Sequence, residues 1–101
     1  PGPQDLTLKN IIAVIPGTDP DLKEYPVIVS AHYDHLGLGW PDVHAGDEGK
    51  IHHGADDNAS GISILLELAK NMSKLKPKRT IVFAAFTGEE AGLIGSRYFV
   101  A

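Results

Sequence analysis

The sequence predicts an α/β fold, a mixed β-sheet with helices on both faces, and three observations carry that prediction. Two short apolar runs rich in β-branched residues, Pro26 to Ala31 (PVIVSA) and Thr80 to Phe86 (TIVFAAF), read as buried strands. Between them, Ser60 to Leu75 places Ile62, Leu65, Leu66, Ala69 and Met72 at helical spacing, with Lys70, Lys74 and Lys76 toward the other face and the C-terminal end. A strand, a crossover helix and a strand in that order form a parallel, right-handed unit. The third observation is an earlier strand, Lys9 to Ile15 (KNIIAVI), closed by the turn residues Pro16-Gly17-Thr18-Asp19-Pro20. Its short connection to Pro26 predicts an antiparallel hairpin, which makes the sheet mixed.

The remaining elements follow from local chemistry. Pro77 stops the long helix, and Gly61 near its start fits a close approach by a strand or loop better than it fits helix propensity. A last helix, from Ala91 or Gly92 onward, offers Leu93, Ile94 and Tyr98 to the sheet. Leu36 to His53, with its Gly, Asp and His residues and Trp40-Pro41, is a long loop that closes over the strand ends or packs on their edge. Tyr33 and Trp40 either line a pocket or anchor that loop.

Composition narrows the classes of function. With 101 residues, 43% hydrophobic and 22% charged, the chain has an ordinary globular composition sufficient for one small domain. A net charge of -4 and the lack of a basic stripe speak against a nucleic-acid partner. No apolar run is long enough to cross a bilayer. The absence of cysteine excludes thiolate metal ligands, a cysteine nucleophile and disulfides. The start at Pro1-Gly2-Pro3-Gln4 and the stop within an apparent helix at Phe99-Val100-Ala101 lead to the expectation that residues 1–101 are the N-terminal portion of a larger catalytic domain. Residues 1–9 then read as a linker or an added start.

Chemistry-bearing residues cluster where predicted strands end, the usual place for sites in open α/β sheets. Ala31-His32-Tyr33-Asp34-His35 follows one strand and Thr87-Gly88-Glu89-Glu90 another, while Gly54 to Gly61 (GADDNASG) leads into the long helix. His32 and Asp34 are two apart and point to one side if the strand continues, so Asp34 can hold the ring nitrogen that His32 does not offer to a metal. A carboxylate before a helix, such as Asp56 or Asp57, gains from the helix N-terminus and can also lie between two cations. Asp57 or Asn58 caps that helix. Adjacent Glu89 and Glu90 are costly to bring together unless a cation lies between them or one is protonated. His35, His44, His52 and His53 read as solvent-exposed.

The strings VSAHYDHLG, GADDNASGISILLELA and FTGEEAGLIGSRYF resemble the zinc exopeptidases of family twenty-eight of the metallopeptidases, the co-catalytic di-zinc aminopeptidases related to glutamate carboxypeptidase II, from about Asn10 to the last residue. The resemblance implies a three-layer zinc-exopeptidase sandwich, here truncated, and two zinc ions per active site. It further implies that His32 binds one zinc, Asp56 bridges both and Glu90 binds the other, with Glu89 as general base and acid and Asp34 as the partner of His32. The family also shows a cis peptide after its bridging Asp, which predicts one at Asp56–Asp57. Two further family ligands, an Asp and a His, come later in the family's sequence than Ala101, so each zinc is one protein ligand short and the chain by itself is expected to be inactive.

The implied activity is hydrolysis of peptide bonds, with removal of N-terminal amino acids from a peptide bearing a free N-terminus. A single-zinc cyclase of the glutaminyl type and a non-enzymatic receptor-like domain use the same scaffold and remain alternatives. The resemblance also points to a secreted or periplasmic protein. An unpaired sheet edge left by truncation predicts self-association.

Overall fold

The computed structural model describes residues 5–101 and carries three strands, β1 (Ile11–Ile15), β2 (Val27–His32) and β3 (Ile81–Phe86), with helices α1 (Ser60–Leu75) and α2 (Ile94–Val100). The strand with the most continuous apolar sequence, β3, takes the centre, so the sheet order is β1-β3-β2. Strands covered on both faces need side chains that are apolar in both directions, and β3 supplies them: Phe83 is 4% and Ala84 0% exposed. β1 runs antiparallel to β3 with Ile11 opposite Ala85, and β2 runs parallel to it with His32 opposite Phe86. The sheet is mixed and the fold is α/β.

The expected hairpin does not form. β1 and β2 do run in opposite directions, but β3 lies between them. The connection over residues 16–26 has only to span ~10 Å, two inter-strand spacings, and does so easily. It is tied instead to the chain entering β3: Thr18 N donates to Pro77 O at 3.0 Å, Gly17 N to Thr80 Oγ1 at 3.0 Å, and Thr80 Oγ1 to Lys23 O at 2.7 Å. A 3-10 turn, Leu22–Glu24, leads back into β2.

α1 covers one sheet face. Ile62, Leu65, Ala69 and Met72 pack with Ile15, Val29, Ala31, Ile81, Phe83 and Ala85 to form the core. Leu66, predicted for that stripe, is exposed, because the 3-4-3 spacing of the other four leaves it a quarter-turn away. The helix ends at Lys76 in the left-handed region (φ 47°), immediately before Pro77. At its start, a side chain on Gly61 would collide with the Asn58 amide at 2.5 Å, so the close approach comes from the preceding turn. Among the described residues, the opposite face of the sheet is covered at one end, where Phe99 of α2 stacks obliquely on Phe86 with ring centroids 5.4 Å apart. Ile12, Val14 and Ile28 stay exposed.

Residues 1–4, part of the stretch expected to be a linker, lie outside the described residues, and residues 5–10 have no regular secondary structure. No helix among the described residues is long and apolar enough to cross a membrane.

Candidate metal centre

Because β2 and β3 are parallel and in register, their chains leave the sheet at the same end, with Tyr33 N still bonded to Phe86 O at 2.9 Å. The two turns that follow are joined by Asp34. Its Oδ1 accepts the Glu89 N–H at 3.2 Å, its Oδ2 accepts the Glu90 N–H at 3.5 Å, and Oδ1 also stands 3.3 Å from His32 Nδ1. A third turn, Ala55–Ala59, precedes α1 and departs from helical geometry at Asp57 (φ -121°, ψ 87°) and Asn58 (φ -140°, ψ 40°). The Asn58 amide fastens it at both sides: Nδ2 donates to His32 O at 3.2 Å, and Oδ1 accepts the Gly61 N–H at 3.0 Å, capping the helix.

These ties bring two imidazoles and three carboxylates together. His32 Nε2 lies 3.0 Å from Asp57 Oδ1 and 3.9 Å from Glu89 Oε2. His35 Nδ1 lies 3.3 Å from Glu90 Oε1 and 4.0 Å from Asp57 Oδ2. Two sets of donor atoms, His32 with Glu89 and Glu90, and His35 with Asp57 and Glu90, each fall within 4.8 Å of one another. A cavity of about 240 Å³ opens beside His32 and Glu89, with Ser30, Phe86 and Leu93 in its walls.

The electrostatics of this cluster are those of a cation site. Burial opposes protonation of His32, but the charge of Glu89, the Asp34 hydrogen bond and the charge of Asp57 outweigh it, and the His32 pKa rises above the ordinary histidine value. Glu90 is raised above its ordinary carboxylate value by burial and by the Asp57 and Glu89 charges, against a lowering by the His35 hydrogen bond. Among the described residues no lysine or arginine pairs with Asp34, Asp57, Glu89 or Glu90. Acids this close, with imidazoles but no lysine or arginine on them, favour protons or metal, and imidazole with carboxylate oxygen is a donor set that zinc accepts. The residues fit zinc.

Of the residues singled out from the sequence, His32, Asp34, Glu89 and Glu90 come together here. Asp56 does not. Its carboxylate is exposed and belongs to neither donor set, and the bond it makes is through its backbone oxygen, which accepts the Ser60 hydroxyl at 2.6 Å. The carboxylate in its place is that of Asp57. The cis peptide moves by the same one residue: it is Asp57–Asn58, not Asp56–Asp57. Sequence reasoning also missed His35, expected in solvent and found half-buried against Glu90. Its only signal was its place one residue beyond Asp34. His44 and His53 are exposed, while His52 is half-buried with Nδ1 3.1 Å from Gly37 O. Tyr33 and Trp40 are exposed and line none of the site, and the Tyr33 hydroxyl donates to Lys9 O.

The chain has relatives among known proteins. It is 38% identical over 92 residues to a probable zinc metalloprotease of Pyrenophora tritici-repentis, an alignment that takes in 91% of this chain and 20% of that protein. A probable zinc metalloprotease of Pyrenophora teres f. teres is 37% identical over 91% of this chain and 18% of its own length. One from Pyricularia oryzae is 38% identical over 90% of this chain and 17% of its own. The chain thus spans about a fifth of the length of the curated relatives it matches. No solved structure matches it at a significant level. The profile of peptidase family M28 matches residues 10–101, nearly the whole chain, and the chain belongs to that family.

Proposed function

We propose that this chain carries part of the metal centre of a two-zinc aminopeptidase, which hydrolyses the first peptide bond of substrates with a free N-terminus. The observation that carries the reading is the convergence of His32, Asp57, Glu89 and Glu90 from three turns at one end of the sheet. The names of the relatives support zinc and peptide hydrolysis.

In this reading His32 Nε2, Asp57 and Glu90 would hold the ions. Asp57 presents Oδ1 to His32 at 3.0 Å and Oδ2 to His35 at 4.0 Å, so its two oxygens face two different imidazoles. Asp34 faces His32 Nδ1, fixing the ring so that Nε2 points at Asp57. When bound, zinc supplies Lewis acidity toward a carbonyl and acidifies water. Glu89, partly open to solvent and 3.9 Å from His32 Nε2, takes the proton of the attacking water and delivers it to the leaving amine. Glu90 is the more enclosed of the two acids and faces His35, which suits it to hold metal and Glu89 to move protons.

The test, made on the full-length protein that carries this chain, is equilibrium dialysis with zinc combined with hydrolysis of an aminoacyl anilide and its N-acetylated form. Two zincs per chain, loss of metal in Asp57→Asn and cleavage of the free-amine substrate alone are the expected results. One zinc, or equal cleavage of the blocked substrate, rejects the two-zinc aminopeptidase. Association between copies is part of the same proposal, since β1 and β2 each leave one edge unpaired among the described strands, with Ile11, Val14, Val27 and Ile28 exposed on them. Sedimentation velocity should show a dimer or larger, and a monomer at all concentrations removes that part.

A further inference from the structure

We propose that Asn10 is a positioning residue for Glu89: its side-chain amide closes the neck of the turn that carries both site glutamates and so fixes where the Glu89 carboxylate stands. This rests on the reading of Glu89 as the proton-transfer group. It adds a residue from the other neighbour of β3, since Asn10 directly precedes β1.

The antiparallel ladder between β1 and β3 ends at the Ile11–Ala85 pair. Past that pair the Asn10 side chain takes over from the backbone. Its Oδ1 accepts the Thr87 N–H at 3.1 Å and its Nδ2 donates to Gly95 O at 2.9 Å, across 77 and 85 residues of chain. The Gly95 N–H in turn donates to Thr87 O at 2.9 Å. Three hydrogen bonds thus form a closed ring in which one amide holds both ends of the segment 87–95. An amide offers a donor and an acceptor side by side, whereas an ionised carboxylate of the same shape offers acceptors alone. The ring is tight: a Cβ on Gly95 would stand 2.4 Å from both Asn10 Oδ1 and Thr87 O. Thr87 is buried, so its N–H relies on that amide.

The segment needs such a neck. Gly88 (φ 66°), Gly92 (φ 100°) and Leu93 (φ 60°) all lie in the left-handed region, and leucine keeps that conformation only where its surroundings hold it. Two side chains from outside anchor the segment, Asp34 on the Glu89 and Glu90 N–H groups and Asn10 at the neck. The two glutamates then differ in their side chains. The Glu90 carboxylate is held by His35 at 3.3 Å, whereas among the described residues the Glu89 carboxylate has no hydrogen-bond partner and stands where its backbone puts it, with Oε2 3.9 Å from His32 Nε2. A displaced neck therefore acts on Glu89 first, and Asn10 itself bonds to neither the imidazoles nor the carboxylates.

The test uses the full-length protein that carries this chain. Asn10→Leu removes both bonds of the amide, and Asn10→Asp keeps the acceptor for Thr87 but sets a carboxylate oxygen against Gly95 O. On the free-amine anilide, kcat of zinc-loaded Asn10→Leu should fall ~10²-fold, the cost of a misplaced catalytic group, with KM and zinc content within ~twofold of the original. In metal-free protein, hydrogen–deuterium exchange should accelerate over 87–95 and stay the same over 60–75. The decisive step is a cycle with Glu89→Gln: if Asn10 acts through Glu89, Asn10→Leu costs nothing further once that carboxylate is gone, whereas a merely structural residue lowers kcat by the same factor in both backgrounds. Factors that multiply, an unchanged kcat in Asn10→Leu or unchanged exchange over 87–95 each overturn the proposal. Where Asn10→Leu does not fold, Asn10→Asp enters the same cycle under the same criteria. Glu89→Gln alone reports on the reading beneath: normal turnover there removes the proton-transfer role and this proposal together, while slow turnover with multiplying factors removes the proposal and leaves that role standing.

Discussion

The strand-end turns and the long loop between Gly37 and His52 carry nearly the same residue types, and only the turns gather them. In the loop, Asp42 accepts its neighbour's N–H from Val43, Glu48 accepts from Gly46 and Asp47 pairs with Lys50 at 3.3 Å. Those groups are satisfied within a few residues. In the turns, Asp34 reaches the backbone of Glu89 and Glu90, and His35 reaches Glu90, across 55 residues of chain in the case of Glu89. Histidine and acid make a centre where strands deliver them to one place from distant parts of the sequence; in a loop that turns on itself, the same residues serve the loop.

The comparison can be pressed by substitution. The largest effect should come from Glu89→Gln, which cannot accept a proton: turnover of zinc-loaded protein should fall ~10²–10⁴-fold while zinc content, read by atomic absorption, stays the same. Unchanged turnover would remove the proton-transfer role of that turn. Asp34→Asn should act next, because the amide is a poorer partner for the His32 ring and for the Glu89 and Glu90 N–H groups. Zinc affinity should drop ~10–100-fold in competition with a chelator, and an affinity within twofold of the original would show that the clamp between turns does not matter to the metal. The smallest effects belong to Asp56→Asn and His44→Ala, exposed and outside the donor sets, where metal affinity and stability should shift by no more than ~0.5 kcal/mol. A loss at Asp56 equal to that at Asp57 would reverse the assignment of the two.

What the sequence could reveal followed the rules of periodicity. The span Ser60–Leu75 reads as a helix because 62, 65, 69 and 72 return to one side, and the structure gives that same span. The central place of β3 was less accessible, since a connection of the length of residues 16–26 serves a neighbouring strand or one two places away equally well. At the site, the limit was backbone torsion. Either of two acids in a row can face the cluster, and that Asp57 rather than Asp56 does so depends on a turn whose angles leave no trace in residue spacing. His35 escaped for a related reason: beyond His32 the chain has left the sheet, so the two-residue alternation that pairs His32 with Asp34 says nothing about the residue after them.

The Asp34 clamp bears on the order in which the molecule assembles. Its partners are 55 and 56 residues away, across the whole of the long loop, α1 and β3. Contacts of that separation carry the loop-closure cost of everything between them and form late. The cluster of imidazoles and carboxylates at the strand ends therefore depends on the β2–β3 pairing. A newly made chain should meet zinc only after its sheet has closed, and zinc captured then adds RT ln(1 + [Zn]/Kd) to the stability of the closed form. Chelation should accordingly act most on the unfolding rate of this protein and least on the rate at which its first helix appears.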